Sequence, residues 1–190
     1  AHIAILGLGN WGTAIARMWL ADGHHVKGWT IEQEVYESIT MNGVNEKYLP
    51  DHPVEAMEAT MHIEEALDGV EIVVLAVPSS VILDVVDQII PHLRPGHVLL
   101  DLAKGLAPGS QLISQAIHEK LNAAEKNNPL AVVTGPTIAP EAAGGVMTTA
   151  LVASEDVSVA QHLASTLTTQ TFILHPAADP AGAELWGAFK

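Results

Sequence analysis

Three glycines near the start of the chain, Gly7, Gly9 and Gly12, stand in the spacing G-x-G-x-x-G. They follow a short aliphatic run, His2–Leu6, suited to a strand, and open a stretch, Asn10–Ala21, with helical spacing. In a strand–turn–helix the first glycine permits the tight turn and the second lets the backbone approach an anion. The third lets helix and strand pack closely. The free N–H groups at the helix start then point at a diphosphate. The chemistry implied is retention of a dinucleotide on backbone amides, and the strand-then-helix context is what makes the motif specific. At the end of the next candidate strand the sequence reads Gly28-Trp29-Thr30-Ile31-Glu32. No arginine stands there to pair with a 2′-phosphate. Glu32 can accept from a ribose hydroxyl or serve as a solvated helix-start acid, and Ile31 can pack on an adenine ring. The expected cofactor is NAD, with NADP as the alternative.

Lysine is scarce: Lys27, Lys47, Lys104, Lys120, Lys126 and Lys190. Lys104 stands in an apolar strand-end context, whereas Lys120 and Lys126 lie in a polar stretch. A partly desolvated lysine can give a proton to a carbonyl oxygen and offset the negative charge that develops there, because burial lowers its pKa. By position alone Lys104 is that group or a surface cation, and Lys190 reads as a solvated, dipole-friendly helix-end residue. Pro78, Lys104 and Gly135 each follow a candidate strand, so all three are expected to border one crevice. His24-His25 and Asp51-His52 lack ligand spacing and read as loop histidines. Ser79 and Ser80 lack a nucleophile elbow and read as helix-start residues. Trp29 and Trp186 read as core, and Glu55, Glu58, Glu64 and Glu65 as a solvated face.

These residues need a frame, and apolar runs alternate with helical patterns along the whole chain. Strands are expected at His2–Leu6, His25–Thr30, Glu71–Val77, His97–Leu102, Leu130–Val133, Thr148–Ala153 and Thr171–Leu174. Helices are expected at Asn10–Ala21, Ile31–Met41, Ile63–Leu67, from a Ser79 cap through Ile90, Gln111–Leu121 and Val157–Leu167, with a loop over Asn42–Pro53. Ala14, Ile15, Met18 and Trp19 share one stripe of the first helix; Val81, Ile82, Val85 and Ile89 form an apolar face of another. Pro180–Lys190 reads as a helix still running at the last residue, so the chain is expected to be a piece of something longer. Strands alternating with helices specify parallel crossovers, hence an α/β, Rossmann-type, doubly wound and mostly parallel sheet with helices on both faces.

Composition bounds the partners. The 190 residues are 48% hydrophobic and 16% charged, which fits one well-buried core. A net charge of −14 repels polyanions, so neither nucleic acid nor an anionic membrane is an expected partner. With no cysteine there is no disulfide, thiolate catalysis or cysteine zinc site. No run of residues suits a membrane span, and the expected location is cytoplasmic.

Several segments together resemble one family, the NAD(P)-dependent glycerol-3-phosphate dehydrogenases, over nearly the whole chain. They are GLGNWGTAIA at 7–16, NEKYLP at 45–50, LAVPS at 75–79, AKG at 103–105, GPTIAPE at 135–141 and ELWGAFK at 184–190. The resemblance implies hydride transfer between NAD(P)H and dihydroxyacetone phosphate, giving sn-glycerol 3-phosphate. It implies Lys190 as acid/base and Lys104 beside substrate and cofactor. It places Gly135 and Thr137 at the substrate, and Asn10, Trp11 and Ala139 along the cofactor, with Val81 flanking the dinucleotide. The family's helical C-terminal domain is absent from this chain, and the full-length protein is expected to be a homodimer. Ile31 departs from the aromatic or basic residue usual at its position. A non-catalytic NAD(H)-binding or sensing domain, and a Rossmann dehydrogenase for another phosphorylated or carboxylated substrate, are the alternatives.

Overall fold

The computed structural model describes residues 1–188 of the chain. The sheet grows from the first run. In β1 (His2–Leu6) alternate residues serve both faces: Ile3 and Ile5 join one core cluster, Ala4 and Leu6 the other. That is why the strand reads as a continuous apolar run. Helix α1 (Asn10–Ala21) buries Ala14, Ile15, Met18 and Trp19 as its stripe requires, and the Trp19 indole N–H donates to the Leu167 carbonyl at 3.0 Å. Next come β2 (His25–Trp29), α2 (Gln33–Asn42), β3 (Glu58–Thr60), α3 (Ile63–Leu67), β4 (Ile72–Leu75) and α4 (Ile82–Ile89). They are followed by β5 (Val98–Asp101), a small hairpin of β6 (Leu106–Ala107) and β7 (Gln111–Leu112), and α5 (Ile113–Ala123). The last elements are β8 (Leu130–Thr134), α6 (Ala139–Ala143), β9 (Thr148–Ala153), α7 (Val157–Leu167), β10 (Phe172–Ala177) and α8 (Pro180–Ala188).

The eight-stranded sheet runs β10-β9-β8-β5-β4-β1-β2-β3. β1 pairs in parallel with β2 on one side (Ile3 opposite Val26) and with β4 on the other (Ile3 opposite Ile72). The chain therefore reverses its winding direction between β1 and β4, which places a crevice at their carboxyl ends. The doubly wound, mostly parallel α/β fold read from the sequence is the one observed.

Several details differ. β8 and β9 are antiparallel, because the segment joining them carries only α6, which packs on α1 instead of forming a crossover. Glu58 belongs to a short strand, β3, that a three-residue run without large apolar side chains does not announce. Ser79 does not cap α4. The chain over 78–81 instead makes a turn in which the Val81 N–H donates to the Pro78 carbonyl at 3.0 Å, and the helix starts at Ile82. Val81, 41% exposed, leaves the apolar face of α4 that buried Ile82, Val85 and Ile89 form. His25 sits in β2, its ring stacked on His2, and is not a loop residue. Trp186 is 79% exposed, so it is not core; α8 buries Ala183 and Glu184.

Candidate functional site

Three glycine positions carry three distinct steric demands. Gly7 has φ +106°, and a Cβ there would lie 2.7 Å from the Ala76 carbonyl oxygen of the neighbouring strand end. A Cβ on Gly12 would fall 1.9 Å from the Gly7 oxygen, so only glycine lets α1 come down on the turn. Around Gly9 nothing lies within 4 Å of such a Cβ. Gly9 is also the N-cap of α1, no side chain caps the helix, and its first turn holds no acid. The amino end of the helix is open, and the partial positive charge there faces a space with room for an anion.

That space is the mouth of a crevice of about 1030 Å³. Four strand ends line it, Gly7–Trp11 after β1, Thr30–Glu32 after β2, Ala76–Ser79 after β4 and Leu102–Lys104 after β5, and α4 adds Asp84, Val85 and Gln88. Thr137 and Ala139 close it from beyond β8. Among the residues named from the sequence, Gly7, Gly9, Asn10, Trp11, Ile31, Val81, Lys104, Thr137 and Ala139 are brought together in this lining, and Pro78 with them. Gly12 sits buried behind it. Gly135 is not in the lining; its missing Cβ would lie 2.8 Å from the Thr149 carbonyl oxygen, so the glycine lets β8's end lie close to β9. Lys190 lies outside the described residues.

Lys104 is the cation of the lining and it is exposed, as in the surface-cation alternative read from its position. The turn that carries it is fixed from below: Asp101, 1% exposed at the end of β5, accepts from the Ala103 N–H at 2.8 Å. Burial first, and the nearby Glu184 carboxylate after it, push the Asp101 carboxyl up to about 8. Glu32 is neither free nor merely solvated. It accepts from the Tyr48 hydroxyl at 2.8 Å and from Lys47 at 2.5 Å, and these partners, Lys47 foremost, hold its pKa below the usual carboxylate range.

Sequence reasoning missed Tyr48, Asp84 and Gln88 as lining residues. A signal existed for two of them: 84 and 88 fall at helical spacing from Val81, on the stripe beside the buried one. Tyr48 gave none, since only tertiary folding brings its loop to the end of β2. Among the described residues no cluster of three or more His, Asp or Glu could hold a metal. Nor is any described helix long and apolar enough to cross a membrane.

A doubly wound sheet, a glycine turn at its switch point and an uncapped helix end define a Rossmann-type dinucleotide-binding domain. Residues 2–160 match the family described as NAD-dependent glycerol-3-phosphate dehydrogenase N-terminus. The chain belongs to that family. It is 38% identical over 192 aligned residues to the glycerol-3-phosphate dehydrogenase [NAD(P)+] of an Exiguobacterium species, covering 100% of this chain and 56% of the relative. The corresponding enzyme of Syntrophotalea carbinolica is 33% identical, covering 100% and 57%. The crystal structure of glycerol-3-phosphate dehydrogenase from Coxiella burnetii superposes with a TM-score of 0.89 at 33% identity, covering 98% of this chain and 56% of that one. The chain thus spans about half the length of the curated relatives it matches.

Proposed function

We propose that this chain is the dinucleotide-binding portion of an oxidoreductase that transfers hydride between NAD(P)H and dihydroxyacetone phosphate, forming sn-glycerol 3-phosphate. The observation that carries the reading is the open amino end of α1, with clear space beside Gly9, at the switch point of the sheet. Membership of the family and the enzyme names of the relatives support the substrate. The residues present fit a dinucleotide. Gly9, Asn10 and Trp11 would hold its diphosphate on backbone amides at the turn that Gly7 makes, Ile31 and Glu32 would meet the adenosine end, and Val81 and Ala139 would flank it.

The nicotinamide supplies or takes the hydride when bound. The chain's own part is the proton and the charge: Lys190 would give the proton to the carbonyl oxygen, and the ammonium of Lys104, fixed by the Asp101-anchored turn, would stabilise negative charge developing there. Thr137 would border the substrate beside them, with Gly135 setting the close strand packing behind. Lys104 is exposed here, and the relatives continue well beyond the matched half. The water exclusion that strengthens such charge stabilisation is therefore assigned to a C-terminal helical domain. A cytoplasmic homodimer is the full-length form that accompanies this reading.

The test is NADH oxidation by the full-length protein with dihydroxyacetone phosphate, beside Lys190→Ala and Lys104→Met variants. Turnover that falls at least about 100-fold in both variants supports the assignment. A folded full-length protein without activity overturns it. The 190-residue chain alone is expected to bind NADH with negligible turnover.

A further inference from the structure

A buried polar joint lies between the turn that carries Lys104 and helix α8. Asp101, the last residue of β5, is buried and accepts from the Ala103 N–H at 2.8 Å, so it grips the turn one residue before Lys104. Val132 of β8 stands beside it in register, and Val132 packs against Ala183 of α8 in one apolar cluster. The next residue of that helix, Glu184, is also buried and accepts from the Ser114 N–H and hydroxyl at the amino end of α5. Near its end α8 comes down on the end of β8. A Cβ on Gly187 would lie 2.5 Å from the Thr134 Oγ1, so a glycine is what permits that approach. The course of α8 is thus set by Ala183 and Gly187 against β8 and by Glu184 against α5.

Two carboxyl groups, one from β5 and one from α8, are therefore buried side by side. The flanking strands β4 and β8 bring no ionisable side chain. From α5 come Ser114 and, a turn on, His118, which lines a small cavity with Glu155. Among the described residues Glu184 is the charged side chain whose field bears on Asp101. Like charges buried together oppose one another, so the joint favours one proton. Glu184 has two donors from Ser114 and Asp101 has the Ala103 N–H, which leaves the proton on Asp101. Burial first, and Glu184 after it, push the Asp101 carboxyl up to about 8, in keeping with that placement. A neutral acid still accepts the Ala103 N–H, yet it sets no anion beneath the Lys104 ammonium.

Resting on the reading that Lys104 and Lys190 serve the reduction of a carbonyl, we propose that Asp101 is a positioning residue for that reaction. Joined to Glu184 beneath the strand ends, it fixes the Lys104 turn relative to α8, the helix whose sequence continues to Lys190. Ionising Asp101 acts twice. It places an anion under the cation that offsets charge developing on the carbonyl oxygen, and it sets two carboxylates against each other across the joint.

Two measurements test it. In the 190-residue chain, its fold checked by circular dichroism, the Asp101 carboxyl is titrated by carbon-13 NMR in the wild type and in Glu184→Gln. A midpoint near 8 that moves down in Glu184→Gln is expected, because the variant removes the facing charge. An unmoved midpoint overturns the joint. In the full-length protein, NADH oxidation with dihydroxyacetone phosphate is followed against pH for the wild type, Asp101→Asn and Asp101→Leu. Asp101→Leu drops the Ala103 bond and is expected to lower kcat at least about tenfold, with KM for NADH kept within about threefold. Asp101→Asn keeps an acceptor and is expected to restore kcat at neutral pH to within about twofold of wild type. The wild type should lose kcat as pH rises through about 8, and Asp101→Asn should hold its rate to higher pH. Wild-type kcat in folded Asp101→Leu, or superposed pH profiles for wild type and Asp101→Asn, overturn the proposal while leaving the reductase reading in place. A folded wild type without activity removes both.

Discussion

Glu184 and Ser114 join two helices 70 residues apart in sequence: the buried carboxylate of Glu184, on α8, accepts from the Ser114 N–H at 3.0 Å and from the Ser114 hydroxyl. It thereby closes the amino end of α5, where no side chain of the helix's own flank does so. α8 buries little else, only Ala183, so this contact is its main polar anchor to α5. Glu184→Ala leaves a buried N–H without a partner and is expected to destabilise the domain by about 1–3 kcal/mol. Glu184→Gln should cost less. Denaturant unfolding of the two variants measures this, and equal stability for Ala and wild type would show that α8 is anchored otherwise.

Asp101 gives the domain a pH dependence of unusual sign. Its carboxyl is raised from 3.8 to about 8 by burial, with Glu184 adding to the shift. The folded state thus holds a proton that the unfolded state has released across the window from about 4 to about 8. Stability tied to this group is fully present below the unfolded value and is lost as pH rises, at up to about 1.4 kcal/mol per pH unit. Asp101→Asn keeps an acceptor for the Ala103 N–H and removes the titration. Its Tm is expected to exceed that of the wild type at pH 8 and to converge with it near pH 4. Parallel Tm curves over that range would contradict the assignment.

The local parts of the fold and site were legible in the residues, and the tertiary ones were not. Gly7, Gly9 and Gly12 announce a turn whose geometry is set within a short stretch of chain, and Ile15 and Trp19 announce the buried face of α1 by spacing alone. β3 exists because Lys27, Gly28 and Trp29 offer it a pairing edge, not because Glu58-Ala59-Thr60 favours a strand. The two-residue strands of the 106–112 hairpin are likewise products of their surroundings. Glu184 reads as a polar residue in a weakly amphipathic helix until the fold places Ser114 beneath it. The same holds at the site, where Tyr48 reaches Glu32 only through the anchoring of Asn45.

Gly135 separates packing from binding. A Cβ there meets the Thr149 carbonyl oxygen at 2.8 Å and the Ala150 Cβ at 2.9 Å. Gly135→Ala is expected to cost about 1–3 kcal/mol of stability through overpacking, with NADH affinity of the folded fraction kept within about threefold. Urea unfolding and NADH titration of the same preparation distinguish the two effects. A stable variant with weakened NADH binding would instead put Gly135 at the ligand.

Gly9 and Gly12 provide the sharpest contrast, because one neighbours open space and the other backbone. Gly9→Ala introduces a methyl where nothing lies within 4 Å, at an N-cap whose φ of −77° any residue adopts. Its stability should stay within about 1 kcal/mol of wild type. The methyl nevertheless stands in the space over the open helix end, so NADH affinity is expected to fall at least about tenfold. Gly12→Ala drives its Cβ to 1.9 Å from the Gly7 oxygen, an overlap that neither the turn nor α1 can relieve without moving apart. It should destabilise the domain by more than about 3 kcal/mol and lose binding only as a consequence. Should Gly9→Ala bind NADH as well as wild type, the diphosphate does not lie over this helix end, however well the rest of the crevice fits.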